Sequence, residues 1–224
     1  KRVSPPSSSY KRHPRRKLRM SFIMQKAKNV SGIIRPMSTW SGKTLGNVLI
    51  GDLIARGGMA EVYYGVHSNL KRRVAVKIMR DHVEEDPDSR ARFAREARVV
   101  ATLDHPNIIQ IFDYDLVDGR PCIVMELVDG TSLAGYLKEL HKRGEKLSHP
   151  MVARLMKSIA SAIDHAHERN TVHRDIKPAN ILLRSKSGNI DVNAPLPEDV
   201  EPVLTDFGLV RLLDSNTKTS TGTV

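Results

Sequence analysis

Cysteine is almost absent. The 224 residues contain one, Cys122, which excludes a disulfide framework and any zinc site built on several thiolates. No stretch approaches the roughly 18 consecutive apolar residues that a membrane span needs, so the sequence reads as a soluble chain. No fixed-period repeat and no coiled-coil heptads occur. Acid is missing from one end: the first acidic residue is Asp52. Of the 36 Lys and Arg, 12 precede it, which leaves 24 bases against 25 acids in the remainder. The formal charge of +11 therefore belongs to the N-terminal arm. A folded domain that is basic over its whole face, as nucleic-acid-binding domains are, is excluded.

At 40% hydrophobic and 27% charged residues, the rest has an ordinary globular composition. Residues 1–45 lack a sustained apolar period and carry a Ser/Pro-rich stretch and a basic cluster from Lys11 to Arg19, the pattern of a solvated, disordered arm. Competing readings are a basic amphipathic helix over Met20–Ile34 at a membrane surface, a targeting presequence, and sequence upstream of a translation start at Met37. The chain opens on Lys1 and stops at Val224 just after a Ser/Thr-rich stretch, and is read as a fragment.

Residues 46–224 are expected to form one domain with halves at 46–127 and 128–224. Apolar patterning gives strands over Val48–Ala55, Glu61–Val66, Arg73–Met79, Ile108–Val117 and Cys122–Leu127, hence a five-stranded antiparallel sheet. Asp86-Pro87 starts a helix running to about Leu103. The second half is mainly helical, with helices over Ser132–His141 and Pro150–Arg169. The second of these has an apolar stripe of Val152, Leu155, Met156, Ile159, Ile163 and Ala166. Two small strands near Ile181–Leu183 and Val203–Thr205 flank a Gly/Pro/acid-rich insertion from Arg184 to Pro202.

Several residues invite a specific chemical reading, although a plain hairpin turn also explains Gly57-Gly58 and a surface carboxylate also explains Glu96. Gly57 and Gly58 turn the chain between the first two strands, where missing side chains let backbone N–H groups face anionic oxygens. Lys77 lies in an apolar strand, where an unpaired ammonium would cost several kcal/mol, so a partner is required. At about 100° per residue, Glu96 falls on the same helix face as Phe93, Ala97 and Val100, while Arg95 and Arg98 point away. A carboxylate on an apolar stripe suits an ion pair with Lys77.

Four motifs occur in order: Ala55-Arg56-Gly57-Gly58-Met59-Ala60-Glu61-Val62; Val74-Ala75-Val76-Lys77; His173-Arg174-Asp175-Ile176-Lys177-Pro178-Ala179-Asn180; and Asp206-Phe207-Gly208. Together they resemble the eukaryotic-like (Hanks-type) Ser/Thr protein kinases, most closely the bacterial membrane-sensor type, from about Asn47 to Val224. The resemblance implies an α+β, two-lobed kinase fold with an incomplete C-lobe, because the chain stops before any Ala-Pro-Glu motif. It implies transfer of the γ-phosphoryl group of ATP to Ser/Thr hydroxyls of proteins, with Mg²⁺ or Mn²⁺ as cofactor.

The resemblance also assigns roles. Asp175 is the base, Lys177 touches the transferring phosphoryl group, and Lys77, oriented by Glu96, meets the α/β-phosphates. Asn180 and Asp206 hold metal. Residues 55–60, Val62, Ala75, Leu182, Met125, Glu126 and Val128 form the nucleotide pocket, with Met125 as gate and Glu126–Val128 as hinge. His173 and Phe207, with Val100 and Ile111, form an internal hydrophobic spine. Thr219 and Thr221 are expected autophosphorylation sites, reached in a homodimer, and a phosphate there could pair with Arg174.

This chain departs from the three-glycine pattern at Ala55 and Ala60. That departure motivates the alternative, a pseudokinase-like ATP-binding scaffold. Nucleic acid is not the expected partner. The implied location is cytoplasmic, with a membrane anchor beyond Val224, and low stability and activity are expected of the fragment alone.

Overall fold

Strict alternation in Arg72–Met79 organises the first half. Val74, Val76 and Ile78 project to one side and Ala75, Lys77 and Met79 to the other, and all six are buried. A computed structural model describes residues 40–58, 60–80, 94–95 and 97–207. In it this strand, β4, is internal to a six-stranded sheet with β1 (Thr44–Leu45), β2 (Val48–Arg56), β3 (Ala60–His67), β5 (Ile111–Val117) and β6 (Arg120–Glu126). The order is β1-β2-β3-β4-β6-β5, and neighbouring strands are antiparallel.

The sheet corrects the sequence reading twice. A sixth strand, β1, folds back on β2 through a turn with Gly46 at φ 51°; two residues are too few for alternation to show. β5 begins at Ile111 rather than Ile108 because the preceding residues bond to the other half of the chain. Ile109 N–H donates to the Leu204 carbonyl at 2.8 Å, and Leu204 N–H to the Asn107 carbonyl at 2.8 Å.

One sheet face packs Trp40, Leu45, Val48, Ile50 and Tyr63 against Val74, Val76 and Ile78. Trp40 is 3% exposed, with Lys43 Nζ 4.5 Å from its ring centre, a cation–π contact. Packing thus reaches upstream of residue 46. The opposite face joins the principal core, where Ala75 and Met79 lie with Ala97, Val100, Leu103, Ile123 and Met125. Residues 94–95 and 97–101 are helical, with Ala97 and Val100 buried and Arg95 and Arg98 exposed, as the face analysis expects.

The second half contains β7 (Thr131–Ser132), α1 (Leu133–Lys142), α2 (His149–His167), β8 (Ile181–Ser185) and β9 (Val200–Leu204), with sheet order β7-β8-β9. Side-chain caps set both helix starts: Ser132 Oγ accepts Gly135 N–H at 3.0 Å, and Ser148 Oγ accepts Met151 N–H at 3.3 Å. Gly130 enables a close crossing, since a Cβ there would lie 1.9 Å from the Leu183 carbonyl oxygen.

The expected stripe of α2 is also corrected. Leu155, Ile159, Ala162 and Ala166 are its buried residues, whereas Val152 and Met156 are 41% and 55% exposed. The helix is apolar on more than one face, so periodicity alone cannot select the inward one. The 184–202 insertion is folded rather than a loose loop. Tyr136 Oη donates to the Ala194 carbonyl at 3.0 Å, Arg143 to the Val192 carbonyl at 2.7 Å, and Leu196 is buried. No helix among the described residues is long and apolar enough to cross a membrane.

Candidate active site

Lys77 reaches the site because β4 places it on the sheet face turned toward the second half. It is 6% exposed, and its Nζ donates to Asp206 Oδ1 at 2.6 Å. The partner found among the described residues is thus Asp206, whereas the sequence argument named Glu96, which lies outside them. Asp206 follows β9, and its position is fixed through the backbone. Thr205 N–H donates to the Asn180 carbonyl at 2.9 Å, and the Thr205 carbonyl accepts from His173 Nε2 at 3.0 Å. Asp206 has φ 63°, a left-handed conformation that costs a non-glycine residue about 1–3 kcal/mol and gathers at functional sites.

The 173–180 loop folds onto itself. Asn180 Nδ2 donates to the Asp175 carbonyl at 2.8 Å and to Asp175 Oδ2 at 2.9 Å. Lys177 Nζ reaches the same Oδ2 at 2.7 Å. With both bonds made through Nδ2, the Asn180 amide directs its oxygen away from Asp175. Arg174, like Asp206, is left-handed, with φ 63°, so the turn before Asp175 is held against its local preference.

His173 is buried and needs its partners. Its Nδ1 accepts the Asp175 N–H at 3.3 Å while Nε2 donates to Thr205, which fixes the neutral Nε2–H tautomer. Burial pushes the imidazole below its ordinary value, opposed by the bond to the Thr205 carbonyl. The ring packs at 4.5 Å and 40° on Phe207, and Val100 and Ile111 are buried in the same core as Phe207. The four residues assigned to the spine are thus all buried.

Between the halves, Ala75 and Met125 are buried, and Val62, Leu182, Leu127 and Val128 pack against that core. Ala75 pairs with Met125, and Met125 in turn with Ile111. Behind Met125, a cavity of about 10 Å³ is lined by Lys77, Val100, Ile123, Thr205, Asp206 and Phe207 among others. It has room for no more than about one water, and Met125 forms part of its wall. In the β2–β3 turn, Gly57 N–H donates to the Ala60 carbonyl at 2.8 Å. Arg56 and Glu61 pair at 2.9 Å. Gly58 has open space around it, and Ala60 is buried.

A protein kinase domain model matches residues 49–224. The chain belongs to the protein kinase family. This kinase domain is 38% identical over 173 residues to the serine/threonine-protein kinase PknF of Mycobacterium tuberculosis, covering 77% of this chain and 34% of that protein. It is 35% identical over 184 residues to PknJ of the same organism, covering 82% and 29%. The chain thus spans about a third of the length of these relatives. A crystal structure of the Mycobacterium tuberculosis PknI kinase domain aligns with a TM-score of 0.63 at 30% identity, covering 76% of this chain and 63% of that one. The fold is a two-lobed kinase fold with an incomplete C-lobe.

The kinase domain gathers five of the residues singled out from the sequence into two clusters, Lys77 with Asp206 and Asp175 with Lys177 and Asn180. Met59, Glu96, Gly208, Thr219 and Thr221 lie outside the described residues. Two contributors escaped the sequence reading. Thr205 is buried and links the clusters through its backbone; only its place before Asp206 marks it. Arg184 is salt-bridged to Glu126 at 2.8 Å and to Glu201 at 3.3 Å, and in the sequence it is one charge at the edge of an insertion.

Among the described residues no three His, Cys, Asp or Glu side chains gather as a metal cage. Asn180 and Asp206 nonetheless fit a divalent ion, because Mg²⁺ commonly takes one or two protein oxygens and completes its shell with phosphate and water.

Proposed function

We propose that this chain is the nucleotide-binding and catalytic part of a Ser/Thr protein kinase. The observation carrying this reading is the close approach of Asp175, Lys177 and Asn180 in one loop, backbone-linked through Thr205 to the Lys77–Asp206 pair. In the proposed reaction the acceptor hydroxyl loses its proton to Asp175. Its oxygen forms a bond to the γ-phosphorus, and the bond from that phosphorus to the β,γ-bridging oxygen breaks, releasing ADP.

Asn180 holds Asp175 in place, and Lys177, already beside the Asp175 carboxylate, offsets charge on the transferring group. Lys77 meets the α/β-phosphates, exchanging part of its contact with Asp206. Asn180 and Asp206 would hold Mg²⁺ or Mn²⁺, which would supply positive charge to offset the phosphates. The adenine lies between Val62 and Ala75 above and Leu182 below, with its edge toward Glu126–Val128.

Protein substrates with Ser/Thr acceptors follow from the same reading, as do Thr219 and Thr221 as autophosphorylation sites reached by a second copy. A cytoplasmic catalytic domain on a membrane-anchored protein is the proposed setting. A scaffold without catalysis would have no need of Lys77, Asp175, Asn180 and Asp206 together. Incubation with radiolabelled MgATP and a Ser/Thr-rich acceptor protein tests the proposal: label should enter the acceptor with the wild type and not with Asp175→Asn. Equal labelling by both would overturn it.

A further inference from the structure

Arg184 divides its guanidinium among three segments. It donates to Glu126 Oε1 at 2.8 Å, to the Pro106 carbonyl at 2.7 Å and, through Nε, to Glu201 Oε2 at 3.3 Å. Its side chain and that of Glu126 are 27% and 26% exposed, so solvent screens the pair only in part. An exposed pair between two long side chains would do little. A planar fork meeting three acceptors from separate segments holds those segments at set distances.

Each segment bears on the nucleotide site. Glu126 ends β6 at the hinge, and its backbone N–H is already taken by the Gln110 carbonyl at 2.8 Å. Pro106 precedes Asn107, whose Nδ2 donates to the Pro202 carbonyl at 2.7 Å, on the strand that leads to Asp206. Glu201 lies on the same strand, paired with Arg184 itself. Along β8, Leu182 and Arg184 are two residues apart and share a face. The residue proposed as the adenine floor is therefore connected through one strand position to the hinge residue above it.

We propose that Arg184 is a positioning residue that fixes the spacing between Leu182 and the hinge backbone at Glu126–Val128, and so sets the preference for adenine over other bases. The inference rests on the nucleotide-binding reading above. Isothermal titration of MgADP and MgGDP into the full chain, as wild type, Arg184→Gln, Arg184→Lys, Glu126→Gln and the Arg184→Gln/Glu126→Gln double variant, tests it.

Arg184→Gln should weaken ADP binding about 5–10-fold and GDP binding less than about twofold, since only adenine uses the hinge edge. Arg184→Lys should fall between, keeping a charge for Glu126 but not the fork. Adding Glu126→Gln to Arg184→Gln should cost less than about twofold more. Unchanged ADP affinity in Arg184→Gln, or equal losses for ADP and GDP, would overturn the inference and leave the nucleotide reading intact. Absence of ADP binding by the wild type would overturn both.

Discussion

Lys77 and Asp206, 129 residues apart in sequence, meet at 2.6 Å. The pair joins the central strand of the first half to the end of the last strand of the second, so it tests the fold and the site together. Lys77→Met should weaken MgADP binding by at least about tenfold with little loss of thermal stability, because an apolar chain of similar length suits the buried strand. Asp206→Ala instead removes the carboxylate that Lys77 contacts among the described residues. It should lower the unfolding free energy by about 1–3 kcal/mol, less than for a fully buried pair because Asp206 is partly exposed. Denaturant unfolding with calorimetric titration checks both, and equal behaviour of the two variants would contradict the assignment.

His173 should make stability depend on pH. Burial lowers its affinity for protons in the fold, and the same holds for His105, where burial and the neighbouring His165 act together against Asp104. The folded state therefore binds fewer protons than the unfolded chain at mildly acidic pH. Stability from these groups is complete above about pH 6.5 and declines as pH falls below it toward the lowered folded values. The melting temperature should drop between pH 7.5 and 5.5, and His173→Gln, which keeps a donor for the Thr205 carbonyl, should reduce that drop. A drop of the same size in His173→Gln would show that His173 does not contribute.

Gly130 should tolerate no side chain. Alanine there must push the Leu183 carbonyl away from a 1.9 Å contact, displacing β8 and with it Leu182 and Arg184. Gly130→Ala should cost about 1–3 kcal/mol and weaken nucleotide binding in parallel. Retention of wild-type stability would mean that the crossing is looser than described.

The faces of α2 make a simpler contrast. Ile159→Ala should cost about 2–5 kcal/mol as a buried large-to-small change. Met156→Ala, on the exposed side, should change stability by less than about 1 kcal/mol. Chemical denaturation of the two variants separates them, and comparable costs at both positions would restore the stripe read from the sequence, which contains both residues.

The placement of the site groups was legible in part: Lys77 was expected in a buried strand with an acidic partner, but the partner named was Glu96 and the one found among the described residues is Asp206. A lysine in an apolar strand requires an acidic partner, and Asp175, Lys177 and Asn180 lie within six residues of one another. Local signals were legible as well: Ser132 and Ser148 stand where helix caps belong, and strand alternation puts Lys77 on the inner face.

What could not be read was set by contacts distant in the chain. The start of β5 depends on Asn107 and Ile109 bonding to Leu204, and the inward side of α2 depends on what covers it. The role of Arg184 appears only when Pro106, Glu126 and Glu201 converge on it. Two-residue strands such as Thr44–Leu45 carry too few side chains for any pattern.

The central claim is that Asp175, held by Asn180 and Lys177, is the base for phosphoryl transfer, and the rate of transfer from MgATP to an acceptor peptide by Asp175→Asn tests it most directly. The account expects a fall of about 10²–10⁴-fold with the MgADP dissociation constant changed by less than about threefold. A rate within a few-fold of wild type, at unchanged nucleotide affinity, would contradict it.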